Sequence, residues 1–282
     1  MKELVTVYIP TFNRVELLER SVNSVLRQTY ENIEVIIVDD ASTDDTHNYL
    51  ELISRKDNRV KYFIKKERSG ACISRNIAIQ NATGKYTPGL DDEDYYLDTR
   101  IEDFVRQWEK IDINKTAFLY GLFLTKETNG VKSPNKLKSK LIKKVIYADD
   151  LKIANYPGNQ IFTETETLRS VNGFDSKMPA WQDLDTWYRI LSTTGKNAKR
   201  IDNIHYVYDV SHEHERISKK ERHVKARYIF LQKNNLHNLI DSPFYLVNYK
   251  DENVKTFIKR WFFKPTIIDL FIISSKFIER IR

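Results

Sequence analysis

Residues 34–46 begin with the apolar run Glu34-Val35-Ile36-Ile37-Val38 and continue into a polar loop. The run lacks the strict apolar–polar alternation of a strand with one face in water. It is typical of a strand in the middle of a parallel sheet, buried on both faces. Ser42 and Asp44 in the loop provide side-chain oxygens that favour a helix start directly afterwards.

Strand and helix signals alternate on both sides of this run. Val5–Ile9 is rich in β-branched residues and stops at Pro10, and apolar residues then recur at helical spacing over residues 15–26. Downstream, the predicted order is strand, helix, strand, acidic turn and helix, at Val60–Ile64, Ala71–Ala82, Lys85–Leu90, Asp91–Asp94 and Leu97–Trp108. This order predicts an α/β fold with a mostly parallel, doubly wound sheet, in which ligands bind beyond the carboxyl ends of the strands.

The second half of the sequence is less regular. The predicted strands are Ala117–Thr125 and Asn159–Thr163, the predicted helices are Asp183–Thr193 and Lys219–Asn234, and Asn129–Lys144 is predicted to be a basic loop. We expect one α/β domain over residues 1–215 and a helical, basic and aromatic C-terminal extension over residues 216–282.

The composition excludes several classes of protein. Apolar residues make up 41% of the chain, which is enough for a core and argues against wholesale disorder. The single cysteine, Cys72, excludes an internal disulfide framework and a cysteine-rich zinc site. No secretory signal is evident, and the most apolar stretch, Thr266–Ser275, is too short to span a bilayer. We therefore expect a cytoplasmic protein.

The acidic turn Asp91-Asp92-Glu93-Asp94 is the most informative motif. Adjacent carboxylates repel one another, and a divalent cation relieves that repulsion. Oxygen ligands suit Mg²⁺ or Mn²⁺, whose coordination phosphate oxygens usually complete. The alternative is a solvated acidic turn, but the position after a buried strand, in a chain of net charge +7, favours a site for a metal and an anionic partner.

Asp39 and Asp40 follow the second strand, as Thr11 and Asn13 follow the first. A carboxylate at a strand end can accept hydrogen bonds from a uracil or a ribose. The alternative is a turn that caps the next helix, and both interpretations can hold at once because capping needs only one residue.

These motifs occur in an order that resembles the family 2 inverting glycosyltransferases, which have the nucleotide-sugar-binding fold called GT-A. The resemblance covers about residues 4–193. The matching blocks are Val7–Arg14, Ser24–Tyr30, Val38–Thr46, Gly70 with Ser74-Arg75-Asn76, Gly84-Lys85-Tyr86 through Leu90–Asp94, and Gly173-Phe174-Asp175 with Trp181–Asp185.

The resemblance implies a role for each matching residue. Asp183 is the expected general base, with Trp181 and Asp185 on the acceptor side. Asp92 and Glu93 are the expected metal ligands, with His212 as the histidine that could approach the metal. The expected nucleotide-binding residues are Pro10, Thr11, Asn13, Asp39, Asp40, Arg75, Asp91 and Asp92. Trp181 could equally be a core aromatic, and Asp185 is expected to have only a supporting role.

Two residues depart from the family pattern. Glu93 stands where the family usually has Asp, and it reaches one methylene further, so metal geometry or choice could differ. Gln182 stands where the family often has Glu before the catalytic Asp. Because Gln182 is neutral, Asp183 lacks the neighbouring negative charge that a Glu would provide, and the pKa of the Asp183 carboxyl is raised less.

The resemblance also implies substrates. We expect transfer of a hexose from a UDP-sugar to a glycan acceptor linked to a lipid diphosphate, as in β-1,3-glucosyl- or galactosyltransferases of bacterial O-antigen and capsule assembly. The basic and aromatic segment Phe257–Lys264 predicts peripheral contact with the anionic inner face of the plasma membrane. It could instead pack on the domain or on a second subunit. No nucleic-acid recognition motif is present.

Rival functions make different demands on the sequence. A sugar nucleotidyltransferase needs a glycine-rich loop after the first strand, and a dinucleotide-dependent oxidoreductase needs G-x-G-x-x-G there. The chain has Pro10-Thr11-Phe12-Asn13-Arg14 instead. A degenerate module that binds nucleotide without transfer is supported only by Glu93 and Gln182.

Overall fold

The computed structural model describes residues 2–134, 142–152, 154–212 and 220–236. The chain divides into two compact units. The first comprises residues 1–176 and 182–214, and the second comprises residues 177–181 and 215–282. The expected boundary at residue 215 stays a prediction.

The first sheet consists of three parallel strands in the order β1-β2-β3. These strands are β1 (Val5–Thr11), β2 (Ile33–Asp39) and β3 (Val60–Ile64). Val7 pairs with Val35, and Val35 pairs in turn with Val60. Every residue of β1 and β2 is buried, as expected for a central parallel strand with an uninterrupted apolar run.

Pro10 lies inside β1 and does not end it, so the prediction that the strand stops there is wrong. The N–H groups of Thr6 and Tyr8 point away from β2 and donate to Tyr86 O (2.8 Å) and Pro88 O (3.2 Å). By the two-residue period of a strand, the Pro10 nitrogen faces that same side. The missing N–H therefore removes no hydrogen bond between β1 and β2.

Four helices follow the strands of the first half in the predicted order. They are α1 (Val15–Leu26), α2 (Thr46–Lys56), α3 (Ala71–Asn81) and α4 (Arg100–Trp108). Helix α4 begins three residues later than predicted. The Leu97 N–H is used outside the helix, because it donates to His205 O at 2.9 Å. The two residues before Leu97, Tyr95–Tyr96, form the short strand β4.

The predicted fourth strand, Lys85–Leu90, is a hydrogen-bonded connector with isolated bridges and not a continuous strand. It runs parallel to β1, and the Leu90 N–H donates to Tyr8 O at 3.0 Å. On its other side, the Thr87 N–H donates to Thr163 O at 3.0 Å. The connector thereby delivers the acidic turn to the carboxyl end of β1.

The remaining strands form two mixed sheets of four. One has the order β8-β10-β5-β9 and the other β4-β11-β6-β7. The predicted strand Ala117–Thr125 is divided into two around Gly121, whose close approach to Asn203 O leaves no room for a side chain. The predicted basic loop contains a short strand, and residues 135–141 lie outside the described part. The bounds are β5 (Thr116–Tyr120), β6 (Phe123–Glu127), β7 (Gly130–Lys132), β8 (Val145–Ile146), β9 (Phe162–Thr163), β10 (Asn197–Arg200) and β11 (Tyr206–Asp209).

Within the described part of the first unit, three further helices follow: α5 (Ala148–Leu151), α6 (Thr165–Ser170) and α7 (Gln182–Thr194). The second unit contains α8 (Lys220–Lys233), close to the prediction. There the Trp181 Nε1 donates to His223 Nδ1 at 3.0 Å, and the Trp181 ring meets Phe230 edge-on.

Among the described residues, no helix is both long and apolar enough to cross a membrane. The segment Phe257–Lys264 lies outside the described residues, so its contact with a membrane stays a prediction.

Glu34 is a buried carboxylate that joins β2 to its neighbours. It accepts hydrogen bonds from Thr6 Oγ1 (2.5 Å), Thr83 N (2.6 Å) and Lys61 Nζ (2.8 Å). Burial by itself raises the pKa of Glu34, but Lys61 and the hydrogen bonds from Thr6 and Thr83 outweigh it and lower the pKa to about 2.

Glu34→Gln is therefore expected to destabilise the fold at neutral pH. A lowered pKa means that the carboxylate stabilises the protein above its unfolded value near 4.5 and loses this effect as pH falls toward 2. We expect a loss of about 2–3 kcal/mol in the free energy of unfolding at pH 7, measured by urea titration, that shrinks below pH 4.5. The exposed Glu51→Gln is the matched control and should change stability by less than about 0.5 kcal/mol. Equal effects of the two variants at pH 7 would contradict the prediction.

Candidate active site

The loops after β1 and β2 are joined through Asn13. Its N–H donates to Ser42 Oγ at 2.8 Å, and its side-chain oxygen accepts from the Thr43 N–H at 2.7 Å. Asn13 has a φ of 50°, in the left-handed region that Asn tolerates better than most residues. The structure thus brings together the two strand ends, as the sequence predicts.

Asp39 and Asp40 both bind the protein's own groups. Asp39 is fully buried and accepts from the Ser42 N–H (3.0 Å) and from His47 Nε2 (2.9 Å). Asp40 accepts from the Gly70 N–H at 2.8 Å and from Lys65 Nζ, and so holds the start of α3. Asp39 thus orders the turn before α2 without accepting from a backbone N–H of that helix, so neither the capping interpretation nor the contact of either carboxylate with a nucleotide is decided, and both stay predictions.

In the acidic turn, Asp92 is tied to the end of β1. Asp92 Oδ2 accepts from Thr11 Oγ1 at 2.8 Å and from the Phe12 N–H at 3.4 Å. Its Oδ1 lies 3.1 Å from Arg14 Nη1, and the same guanidinium donates to Glu93. Burial raises the pKa of Asp92, although Arg14 and Thr11 oppose that shift. The two expected metal ligands therefore converge on one cationic group.

The carboxylates of Asp92 and Glu93 fit a divalent cation that phosphate oxygens also coordinate. Arg14 shows that a positive charge can contact both at once. His212 Nε2 lies 3.6 Å from the Glu93 carboxylate, with a nearly buried ring. Within the described ranges, no three His, Cys, Asp or Glu side chains form a metal cluster. Asp92 and Glu93 could provide the one or two carboxylates that Mg²⁺ or Mn²⁺ uses together with substrate phosphates.

Asp91 leads from the acidic turn to the predicted base. Arg75 Nη2 donates to Asp91 Oδ1 at 2.9 Å, and Arg75 Nη1 donates to Gln182 Oε1 at 3.1 Å. Burial disfavours the charge of Arg75, but Asp91 and other neighbours outweigh burial and raise the pKa of Arg75. One guanidinium thus connects the acidic turn to the first residue of α7.

Asn159 binds two carboxylates of the acidic turn, those of Asp91 and Asp94. Its amide nitrogen lies 2.9 Å from Asp91 Oδ2 and 3.2 Å from Asp94 Oδ2. Asp94 is buried, which raises its pKa well above the usual range, and Tyr206 OH also donates to it. Gly89 permits the tight approach of the connector, because a side chain there would collide with the Tyr8 ring.

Asp183 is the second residue of α7 and is partly exposed. Its Oδ2 accepts from Asn155 Nδ2 at 2.7 Å. Burial raises the pKa of Asp183, while hydrogen bonds from the Leu184 N–H and Asn155 and the charge of Arg75 limit the rise. A carboxyl with a raised pKa and a fixed orientation is suited to accept a proton.

Asp185 does not face an acceptor directly, and the supporting role expected of it stays a prediction. Asp185 is fully buried, and its Oδ2 accepts from Arg189 Nε at 2.8 Å. Arg189 Nη2 in turn donates to Gly173 O at 2.6 Å, so this ion pair holds the turn before α7. Trp181 belongs to the second unit, and its acceptor role stays a prediction.

Three residues of this site were missed in the sequence. Arg14 lies three positions after Thr11, the last residue of β1, and a basic residue so close to a strand end beside an acidic turn is a usable signal. Asn155 has no such signal, since an isolated Asn in a loop is common. Asn159 lies before β9, although a strand was predicted from that residue onward, and the strand pattern gives no sign of its carboxylate partners. Pro10 lies buried within β1, and its contact with a nucleotide stays a prediction.

A family model described as glycosyl transferase family 2 matches residues 6–161, more than half of the chain. The chain belongs to glycosyl transferase family 2. This confirms the resemblance seen in the sequence, and its GT-A fold is confirmed by solved structures.

Two relatives of this family 2 protein come from Escherichia coli. WcaA of strain K12, named as a colanic acid biosynthesis glycosyl transferase, is 30% identical over 82% of this chain and 81% of its own length. WfaP is named as a UDP-Glc:alpha-D-GlcNAc-diphosphoundecaprenol beta-1,3-glucosyltransferase. It is 29% identical over 73% of this chain and 78% of its own length.

Among solved structures, the mannosyltransferase PcManGT from Pyrobaculum calidifontis was determined in complex with GDP-Man and Mn²⁺. It superposes on this family 2 chain with a TM-score of 0.65, covering 99% of this chain and 80% of that one. The sequences are 17% identical, so this likeness shows the fold alone.

Arg14→Ala is expected to tighten binding of Mn²⁺ in the absence of nucleotide. The guanidinium competes for the two carboxylates that would ligate the metal, and its removal leaves their charges mutually repelling. We expect at least a threefold lower Kd for Mn²⁺, measured by the loss of the free-ion EPR signal. Arg55→Ala, which removes a surface ion pair on α2, is the control and should not alter the Kd. Weaker Mn²⁺ binding by the Arg14 variant would contradict this prediction.

Proposed function

We propose that this protein transfers a hexose, with inversion, from a UDP-sugar to a hydroxyl of a glycan carried on a lipid diphosphate, in bacterial surface polysaccharide synthesis. The observation that carries the proposal is the bridge made by Arg75. Its guanidinium donates one hydrogen bond to Asp91 of the acidic turn and another to Gln182, the neighbour of Asp183. A diphosphate at the acidic turn and a proton acceptor for the incoming hydroxyl then flank the same space.

Asp183 begins the reaction as the base. An uncharged hydroxyl is a weak nucleophile, so Asp183 accepts its proton while the oxygen attacks the anomeric carbon. The bond from that carbon to the diphosphate breaks on the opposite face, which inverts the configuration. The electron pair leaves with UDP. Asn155 keeps the Asp183 carboxylate oriented through its 2.7 Å hydrogen bond.

The donor side must accommodate the charge that develops on the diphosphate. Asp92 and Glu93, with His212 beside Glu93, would hold Mg²⁺ or Mn²⁺, which supplies positive charge at the leaving group. Arg75 adds a fixed charge there and is nearly buried, so its interaction with an anion is screened little by water. The residues of the β1 and β2 loops, Thr11, Asn13, Asp39 and Asp40, are proposed to line the nucleoside pocket.

The choice of substrates follows the named relatives. WfaP, by its name, uses UDP-Glc and an acceptor with a diphosphate-linked lipid, and WcaA is named for colanic acid biosynthesis. PcManGT binds GDP-Man, so the nucleotide itself needs a test. We propose a cytoplasmic protein that works at the inner face of the plasma membrane, where lipid-linked acceptors are available.

Calorimetric titration with UDP, GDP and ADP, each with and without Mn²⁺, tests the donor site. We expect UDP to bind at least tenfold more tightly than GDP or ADP, and Mn²⁺ to strengthen that binding because it offsets carboxylate–phosphate repulsion. Asp92→Asn should remove most of the Mn²⁺ effect. Preference for GDP would overturn the proposed donor, and no binding of any of the three by folded protein would overturn the donor site.

Asp183→Asn is expected to abolish transfer while leaving UDP binding intact. Removing a general base typically costs about 10²–10⁴ in rate. Transfer of radiolabelled sugar and UDP affinity should be measured in parallel, with the exposed Asp202→Asn as control. A variant at Asp183 with near-normal turnover would show that this carboxylate is not the base.

The pH profile tests the ionisation of the base. Burial raises the pKa of Asp183, and only the ionised form accepts a proton, so kcat/KM should fall as pH drops through a value above the ordinary carboxyl range near 4. Gln182→Glu places a second negative charge beside it and should move this acid limb to higher pH. If the acid limb does not move in the Gln182→Glu variant, the limb does not report the ionisation of Asp183.

A further inference from the structure

Asn155 has one hydrogen-bonding group that the proposed function leaves unexplained. Its Nδ2 donates to Asp183 Oδ2 at 2.7 Å. An ionised carboxylate only accepts hydrogen bonds, so the amide must present its nitrogen to Asp183 and its oxygen elsewhere. The orientation of both ends of the Asn155 side chain is therefore determined by the base.

The other end of this amide lacks a partner. Oδ1 of Asn155 is shielded from solvent, and no hydrogen-bond donor reaches it from the part of the chain that the structure describes. Buried polar atoms almost always have a partner, because an unsatisfied acceptor forfeits its hydrogen bonds to water. An acceptor atom that has no donor and lies beside the proposed base indicates that its donor arrives with the substrate.

The position of Asn155 allows this. It lies in the irregular segment between α5 and β9, so no helix or strand hydrogen bond depends on its side chain. The oxygen without a donor, Asn155 Oδ1, belongs to the same amide group whose nitrogen donates to Asp183. The two acceptor atoms, one on Asn155 and one on Asp183, are therefore close neighbours. Two hydroxyls on adjacent carbons of a pyranose, or a hydroxyl beside an amide N–H, present two donors with a similar spacing.

We propose that Asn155 is a positioning residue that reads the acceptor sugar. While Asp183 binds the hydroxyl that attacks, Asn155 Oδ1 accepts a hydrogen bond from the hydroxyl or N–H group on the neighbouring ring carbon. The substrate class is therefore a sugar with a free donor group adjacent to the glycosylated hydroxyl. This inference rests on the proposed role of Asp183 as the base.

The test compares kcat/KM of the wild type and of Asn155→Ala on a complete acceptor and on acceptor analogues that each lack one donor group. The probes are a GlcNAc diphosphate on a short alkyl chain and its analogues that lack, one at a time, each donor group next to the glycosylated hydroxyl. For the wild type, loss of one such donor should lower kcat/KM by about 10–100-fold, because the buried oxygen is left unpaired. Asn155→Ala should suffer a similar loss with the complete acceptor and little further loss with that analogue.

Asn155→Asp separates the two ends of the side chain. It retains an acceptor oxygen but loses the N–H donor to Asp183, so it should still discriminate against the analogue. It also loses the hydrogen bond that lowers the pKa of Asp183, so its acid limb should move to higher pH. Asn81→Ala, at the end of α3 and outside the site, should match the wild type in both readouts.

The outcomes distinguish this inference from its foundation. If every analogue lowers the rates of wild type and Asn155→Ala by the same factor, Asn155 does not contact the acceptor and the inference is overturned. Thermal unfolding of both Asn155 variants checks that they fold. If instead Asp183→Asn transfers sugar normally, the proposed function fails at the base, whatever the Asn155 variants do.

Discussion

The structure depends on neutralising four consecutive acidic residues, Asp91–Asp94, at the carboxyl end of the first sheet. Carboxylates so close together repel one another strongly unless cations or hydrogen-bond donors offset them. The partners come from distant parts of the chain. Arg14 follows β1, Arg75 lies on α3 and Asn159 precedes β9. The acidic turn therefore holds these segments together only when the first unit is folded.

Arg75 links the acidic turn to the start of α7. Because its guanidinium has donors on two sides, it can hold Asp91 and Gln182 at once. A glutamate at position 182 would compete for that charge, whereas neutral Gln182 leaves Asp91 as the anion paired with it. The departure from the family pattern at this position thus leaves the charge of Arg75 paired with Asp91 alone of these two residues and spares Asp183 a neighbouring anion.

Much of the fold was predictable because its signals are local. The uninterrupted apolar run at 34–38 and the helical spacing at 15–26 identify β2 and α1 with small errors at their ends. The errors have tertiary causes. Pro10 stays inside β1 because its nitrogen faces away from β2. Helix α4 starts late because β4 pairs with β11 and keeps the backbone extended up to Leu97, whose N–H donates to His205 O. Neither partner is visible from the neighbouring sequence.

Residue types and their order were sufficient for the α/β class, the family and the location of the acidic turn, since periodicity and motif spacing are properties of short segments. They also point to Asp183 as a base, which stays a prediction. The tertiary structure decided which of the candidate side chains meet. It turned Asp185 into a buried partner of Arg189, placed Arg14 between Asp92 and Glu93, and brought Asn155 to Asp183. These contacts join residues from different elements, and only packing of the whole unit determines which distant groups end within hydrogen-bond reach.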